Sequence, residues 1–256
     1  MSAVITVPGS PEGLSDEQLL DAYAWDEGPL RKDRPVFRFN FVASADGAAA
    51  VDGRSGGLGD DADHRVFELL RRTCGAVLVG AGTVRAEGYA GRLIDTGSMA
   101  WRAANGLPAH PGLAIVSGTL DLDPLSPLFT QAPVRPLILT TAIAPPERRT
   151  ALEKVADVAV AGARTVEPEQ AGRVLAERGF HRVLCEGGPH LFGTFQAAGL
   201  VDGLCLTLSP VMTAGNATRI TAGTPELPPR RMELAHVLRS GDTLLLRYRT
   251  AGPGAG

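Results

Sequence analysis

The stretch VLCEGGPHLFGTF, Val183 to Phe195, decides how this chain folds. A short apolar run ends in a carboxylate and two glycines, and a proline then opens a segment of helical character. A continuous apolar run of this length reads as a strand buried on both faces. Pro189 suits the first helical turn, where its missing N–H costs nothing. Gly187 and Gly188 remove Cβ atoms where the backbone would have to approach a ligand closely. The junction predicts a strand, a tight turn and a helix whose free N–H groups suit a phosphate or pyrophosphate. On spacing alone, two glycines that only make a tight turn would look the same.

Working outward, the apolar-run pattern recurs in AVLVG (76–80), LAIVS (113–117), PLILTT (136–141), DVAVA (157–161) and RVLCE (182–186), with helix-like stretches at 146–155 and 168–178. Upstream, PVFRFNFVASADG puts the first core strand near Val36 to Ala43, ending in an Asp-Gly turn. GDDADHRVFELLRRTCG carries Asp60, Asp61 and Asp63 at its front, Arg71 and Arg72 at its back and Gly75 just beyond, as helix dipole and capping rules require. Val66, Phe67, Leu70 and Cys74 then share one apolar face. Strands alternating with helices predict an α/β fold, a mainly parallel sheet with helices on both faces. GLCLTLSP, MELAHVLRS and DTLLLRYRT change the pattern, and Gly241-Asp242 between the last two is a hairpin turn, so an antiparallel C-terminal edge is expected. LSDEQLLDAYAW predicts a short helix capped by Ser15 and Gln18, preceded by a mobile tail over 1–14. The organisation expected is a tail and short helix over 1–34 and one domain over 35–251.

Composition excludes several function classes. Hydrophobic content of 44% with 21% charged residues fits a packed globular chain and not a disordered one. The formal net charge is -3, from 25 basic and 28 acidic residues, and the basic residues are scattered, which argues against a nucleic-acid surface. Cys74, Cys185 and Cys205 lie far apart in apolar runs without a C-x-x-C, as buried free thiols of a reducing cytoplasm would. No apolar run is long enough for a membrane span, and the start of the chain lacks the pattern of an export signal. A cytoplasmic location is expected. The five histidines have no ligand spacing, so no metal site is expected. Arg85 stands where a Rossmann fingerprint starting at Gly80 and Gly82 would need its third glycine, and there is neither a P-loop nor a nucleophile elbow. What remains is Asp46, Glu87 and Glu186 near strand ends, with Arg85 and Arg92 nearby. Such a set suits a polar heterocycle bearing a phosphate, with a cofactor carrying the hydride chemistry.

Three motifs in order, NFVASADGAAAVDG (40–53), AVLVGAGTVRAEGY (76–89) and VLCEGGPHLFGTF (183–195), resemble the pyrimidine reductases of riboflavin biosynthesis, which also form the C-terminal domain of the bifunctional deaminase-reductase. The resemblance covers about residues 35 to 250. It implies a dihydrofolate-reductase-like fold, NADPH as cofactor, a homodimer, and reduction of the ribosyl C1′ of a phosphoribosylamino-pyrimidine such as 5-amino-6-(5-phosphoribosylamino)uracil. It implies that Gly187, Gly188, Pro189 and His190 hold the cofactor pyrophosphate. Gly80, Gly82 and Thr83 would line the nicotinamide and ribose, with Ser117 near the adenosine 2′-phosphate. Asp46 would flank the nicotinamide and substrate, Glu186 would face the reaction centre, and Glu87 would bind substrate. Two departures stand out. Asn40 occupies the place of a lysine that many members carry, and Gly88 to Arg92 replace an Asp-Asp-Pro segment and its arginine. Arg92 becomes the first candidate for the substrate phosphate and Arg85 the second. The same cleft would also serve a reductase of dihydrofolate, a pterin or another heterocycle, or a non-catalytic NADPH-binding protein.

Overall fold

The computed structural model describes residues 5–6, 13–25, 33–223 and 228–250. The strands are β1 (Ile5–Thr6), β2 (Val36–Ser44), β3 (Ala76–Gly80), β4 (Gly112–Val116), β5 (Leu137–Thr140), β6 (Asp157–Val160), β7 (Arg182–Cys185), β8 (Gly203–Ser209), β9 (Met232–Ser240) and β10 (Thr243–Thr250). The helices are α1 (Asp16–Ala22), α2 (Asp61–Thr73), α3 (Ala81–Glu87), α4 (Thr96–Ala104), α5 (Pro127–Thr130), α6 (Pro146–Leu152), α7 (Pro168–Glu177) and α8 (Pro189–Ala197). All ten strands form one sheet in the order β1-β9-β10-β8-β2-β7-β3-β4-β5-β6.

The expected α/β architecture is what the sheet shows. From β8 through β2, β7, β3, β4 and β5 to β6 every pairing is parallel, while β10 runs antiparallel to both β8 and β9. The parallel strands are short and apolar because helices cover both faces. β2 sits centrally between β7 and β8, and its alternation sorts its side chains. Phe37, Phe39 and Phe41 pack on the α8 side, with Phe39 and Phe192 rings 4.7 Å apart and Phe37 and Phe195 rings 4.9 Å apart. Burying each aromatic contributes roughly 1.5–3 kcal/mol. On the opposite side Val66, Leu69 and Leu70 of α2 pack with Val77, Val79, Leu184 and Cys205. All three cysteines are buried and free.

The N-terminal helix belongs to this second layer. Ser15 and Gln18 make the expected capping box, and Leu19 and Tyr23 join the α2-side core. Arg38 of β2 and Arg247 of β10 donate to the carbonyls of Ala22, Tyr23 and Ala24 at 2.6–2.9 Å, binding the end of α1 to the sheet. Of the segment expected as a mobile tail, Ile5 and Thr6 pair with His236 and Val237, and residues 1–4 and 7–12 lie outside the described residues.

Several local readings differ from the sequence analysis. Gly75 does not act as the left-handed cap expected after α2, because the helix ends at Cys74 in an extended conformation. The segment after AVLVG, for which the sequence predicts no helix, is the helix α3, which Gly80 opens at β3 and Gly88 closes in a left-handed conformation (φ 69°). Phe67 leaves the expected apolar face of α2 and turns to the ligand cleft, where the Arg71 guanidinium lies 4.1 Å from its ring centroid.

Candidate active site

A cleft of about 900 Å³ opens where β2, β3, β4 and β7 end, as expected for a parallel sheet whose strands all point the same way. Its volume is in the range of small-molecule and cofactor sites. The structure brings together Asn40, Gly80, Gly82, Thr83, Arg85, Glu87, Arg92, Ser117, Glu186, Gly187, Gly188, Pro189 and His190 along its lining. Asp46 is the one sequence candidate that does not line it.

The strand-turn-helix junction is built by close backbone approach. Gly80 N–H donates to the Gly187 carbonyl at 3.0 Å and Glu186 N–H to the Leu78 carbonyl at 3.0 Å, locking β7 and β3 together below the turn. The Gly187–Gly188 peptide is cis. Gly188 is the N-cap of α8 and offers no side-chain cap, so the first N–H groups of this nine-residue helix are uncapped by any side chain. A Cβ on Gly188 would stand 2.8 Å from Thr83 Oγ1, which ties the width of the gap between α3 and α8 to this glycine. An uncapped helix start beside a cradle that a Cβ would fill is the donor set a pyrophosphate requires. Ser117, buried at the end of β4, lines the same cleft with Gly118 and Thr119.

Glu186 is more fully engaged than its sequence context implied. Its side chain is 1% exposed, and its two oxygens take Arg71 Nε at 2.6 Å and Nη2 at 2.5 Å. Tyr89 Oη donates to the same carboxylate at 2.7 Å. Burial disfavours the Arg71 charge, but the Glu186 carboxylate outweighs it and holds the guanidinium above its usual pKa. Burial, followed by the same carboxylate, pushes the Tyr89 phenol well above its usual range. The three side chains form one hydrogen-bonded network along the cleft lining. Arg71 and Tyr89 escaped the sequence reading because an arginine in the last turn of a helix is ordinary dipole chemistry and a lone tyrosine after a glycine carries no motif.

Asp46 differs from its expected place beside the reacting groups. It lies exposed in the turn after β2, accepting from Ser44 Oγ at 2.5 Å, Ala214 N at 2.8 Å and Thr213 N at 3.1 Å. The Ser44 hydroxyl first, then those amides, lower its pKa to about 2. Its carboxylate ties the β2 turn to the segment after β8, which is the structural use of an Asp-Gly turn. Glu87 accepts from Ser55 N at 2.8 Å and Ser55 Oγ at 2.9 Å, fixing the 51–57 loop over the cleft. Arg85 is drawn to the surface by Asp121, whose backbone carbonyl takes its Nη1 at 2.8 Å. Arg92 lines the cleft, and its guanidinium has no hydrogen bond or ion pair among the described residues. Asn40, half-buried, presents a side-chain amide with no hydrogen-bond partner among the described residues.

One further carboxylate lines the cleft that the sequence reading left as a helix-start residue. Asp63, in the first turn of α2, accepts from Thr207 Oγ1 at 2.6 Å through Oδ1. Burial raises its pKa, against the Thr207 hydrogen bond that lowers it.

A family model for the RibD C-terminal domain matches residues 35–246. The chain belongs to the RibD C-terminal domain family. Among curated relatives it is 28% identical over 225 residues to the 2,5-diamino-6-ribosylamino-4(3H)-pyrimidinone 5′-phosphate reductase of Methanothermobacter thermautotrophicus, covering 86% of this chain and 100% of that one. To the riboflavin biosynthesis protein RibD of Mycobacterium tuberculosis it is 31% identical over 203 residues, which are 75% of this chain and 49% of that protein. Among solved structures, a pyrimidine reductase-like protein from Corynebacterium diphtheriae superposes with a TM-score of 0.82 at 26% identity, over 94% of this chain and 100% of that one. The family match spans the strand ends and both helix starts that make the cleft. Among the described residues, no helix is long and apolar enough to cross a membrane.

Proposed function

We propose that this RibD-family chain is a riboflavin-pathway reductase that transfers a hydride from NADPH to C1′ of a phosphoribosylamino-pyrimidine. The observation that carries the cofactor assignment is the uncapped start of α8 at Gly188, set across a gap from Thr83 that only a glycine leaves open. The N–H groups of His190 and Leu191 would hold the pyrophosphate, Gly80, Gly82 and Thr83 would line the nicotinamide side, and Ser117 with Thr119 would meet the adenosine end. Bound there, the dihydronicotinamide supplies the hydride.

The rest of the work falls to side chains of the chain. Arg92, free of partners among the described residues, binds the substrate phosphate, a role for which Arg85 is spent on Asp121. Glu87 acts by holding the 51–57 loop over the ring-opened sugar. Phe67, Tyr89 and Leu93 wall the cleft and exclude water from the reacting carbon. Glu186 keeps Arg71 and Tyr89 in place, and the proton that the imine nitrogen gains comes from water. Residues 35–251 form the reductase unit, with 1–34 an extension whose helix α1 packs on α2. The working assembly is a homodimer in the cytoplasm.

The test is loss of dihydronicotinamide absorbance when the purified protein meets the phosphoribosylamino-pyrimidine in either its 2-amino or its deaminated form. Turnover of at least one supports the reading, and tight NADPH binding with turnover of neither would replace it with a cofactor-binding role.

A further inference from the structure

Asp63 is a carboxylate of the cleft lining that the proposed reaction leaves unused. Its partner Thr207 lies on β8 opposite Val42 of β2, and Asn40 shares that sheet face two residues before Val42. Thr207 occupies only one direction on Oδ1, and Oδ2 accepts no hydrogen bond among the described residues. The half-buried carboxylate lines the cleft with Oδ2 left without a donor. Gly59 permits this placement, because a Cβ there would lie 2.5 Å from Asp63 Oδ2.

Two forms of the pyrimidine differ at C2, with the N1 proton following from it, and so on the edge such a carboxylate would touch. A 2-amino-4(3H)-pyrimidinone presents adjacent donors, the 2-amino group and N3–H. A uracil presents the C2 carbonyl beside N3–H, one acceptor and one donor. A carboxylate pairs with both atoms of the first edge, and with the second it meets one donor and one repelling oxygen. Resting on the reductase reading above, we infer that Asp63 is a specificity-determining residue that selects the 2-amino pyrimidine over its deaminated uracil counterpart. In a reaction sequence this places the reduction before the hydrolytic loss of the 2-amino group, which a deaminating step must then accomplish on the reduced product.

The amide of asparagine has the same shape with one acceptor and one donor, so the inference makes a reciprocal prediction. The full-length protein, its Asp63→Asn variant and its Asp63→Ala variant are compared for kcat/KM on both pyrimidine phosphates with NADPH. The wild type is expected to favour the 2-amino form by roughly 10- to 100-fold, the loss that one mispaired buried hydrogen bond produces. Asp63→Asn is expected to reverse the preference and Asp63→Ala to bring the ratio near one. A merely structural role for Asp63 would lower both rates together and leave their ratio unchanged, which overturns the inference, as does a wild type that prefers the uracil. Calorimetric Kd values for the two pyrimidines repeat the comparison without turnover. Binding preference without hydride transfer would therefore defeat the reductase reading while the change in binding ratio on substitution still decides the role of Asp63, and a wild-type ratio favouring the uracil overturns the inference even where a variant fails to fold.

Discussion

Gly188 has φ and ψ of −81° and 175°, a backbone conformation open to any residue. What excludes a side chain there is space, since its Cβ would stand 2.8 Å from Thr83 Oγ1. Gly188→Val is therefore expected to weaken NADPH binding at least tenfold while the melting temperature changes by only a few degrees. Fluorescence titration and a thermal melt measure the two separately, and unchanged cofactor affinity would remove the phosphate-cradle account. At this scale the sequence was most legible where chemistry is local: the glycine pair, Pro189 and the carboxylate before them are read directly from VLCEGGP. Glu186, Arg71 and Tyr89 show the limit. The spacing marked Glu186 as a group near the ligand, but its partners come from a helix and a loop about 100 residues away, and only the fold brings them together. Asp46 failed to reach the cleft for a related reason, because the segment after β8 supplies amides that hold it outside.

Elements carry the next level of explanation. The start of α2 is tied down three ways: Asp60 caps Asp63 N–H at 2.9 Å and accepts from Thr243 at 2.6 Å, while Asp63 takes Thr207. These bonds fix α2 against β8 and β10, and with it Phe67, Arg71 and Asp63 over the cleft. β9 meets α1 through His236, whose ring packs edge-on against Tyr23 with centroids 4.7 Å apart. Burial, then the nearby Arg247 and Arg38, push its pKa down to about 4, and Nε2 is buried without a partner. The folded value lies below that of the unfolded chain, near 6.5, so the unfolded state binds more protons between these limits. Stability should thus fall as pH drops from about 6.5 to 4, by roughly 3 kcal/mol in total. Urea denaturation at pH 7, 5.5 and 4.5 reads this loss, and His236→Gln should flatten it. An equal acid slope in the variant would assign the effect to other groups. Strands and α2 were legible because buried strands are apolar runs and α2 carries its capping Asp60 at the front and Arg71 and Arg72 in its last turn, whereas α4 was not foreseen. Neither was α3, because its opening AGT carries no capping side chain and its glycine reads as a turn.

For the whole molecule, α1 is the clearest test of how the parts depend on one another. Leu19, Tyr23 and Trp25 are buried in the α2-side core, and the carbonyls ending α1 accept from the buried Arg38 and Arg247. Deleting residues 1–25 would remove those acceptors from two buried guanidinium groups and expose the apolar face beneath. A loss of several kcal/mol is expected, since burying a charge with fewer partners is costly. Thermal melting of the shortened chain should show a drop of more than ten degrees or no cooperative transition, and an unchanged melting temperature would make α1 a dispensable attachment. The antiparallel end of the sheet was foreseen from three strand-like runs without helices between the last two, whereas the sheet order, with β7 inserted between β2 and β3, required the fold itself. That insertion is what sets Glu186 and Gly188 at the centre of the cleft.

The proposed reaction delivers a hydride across that cleft to a sugar carbon. The most direct measurement uses NADPH deuterated at both C4 positions with the phosphoribosylamino-pyrimidine, and reads the product by mass spectrometry and NMR. One deuterium at C1′ of a ribityl product is the predicted result. A product without deuterium, or with the label anywhere on the pyrimidine ring, would contradict it.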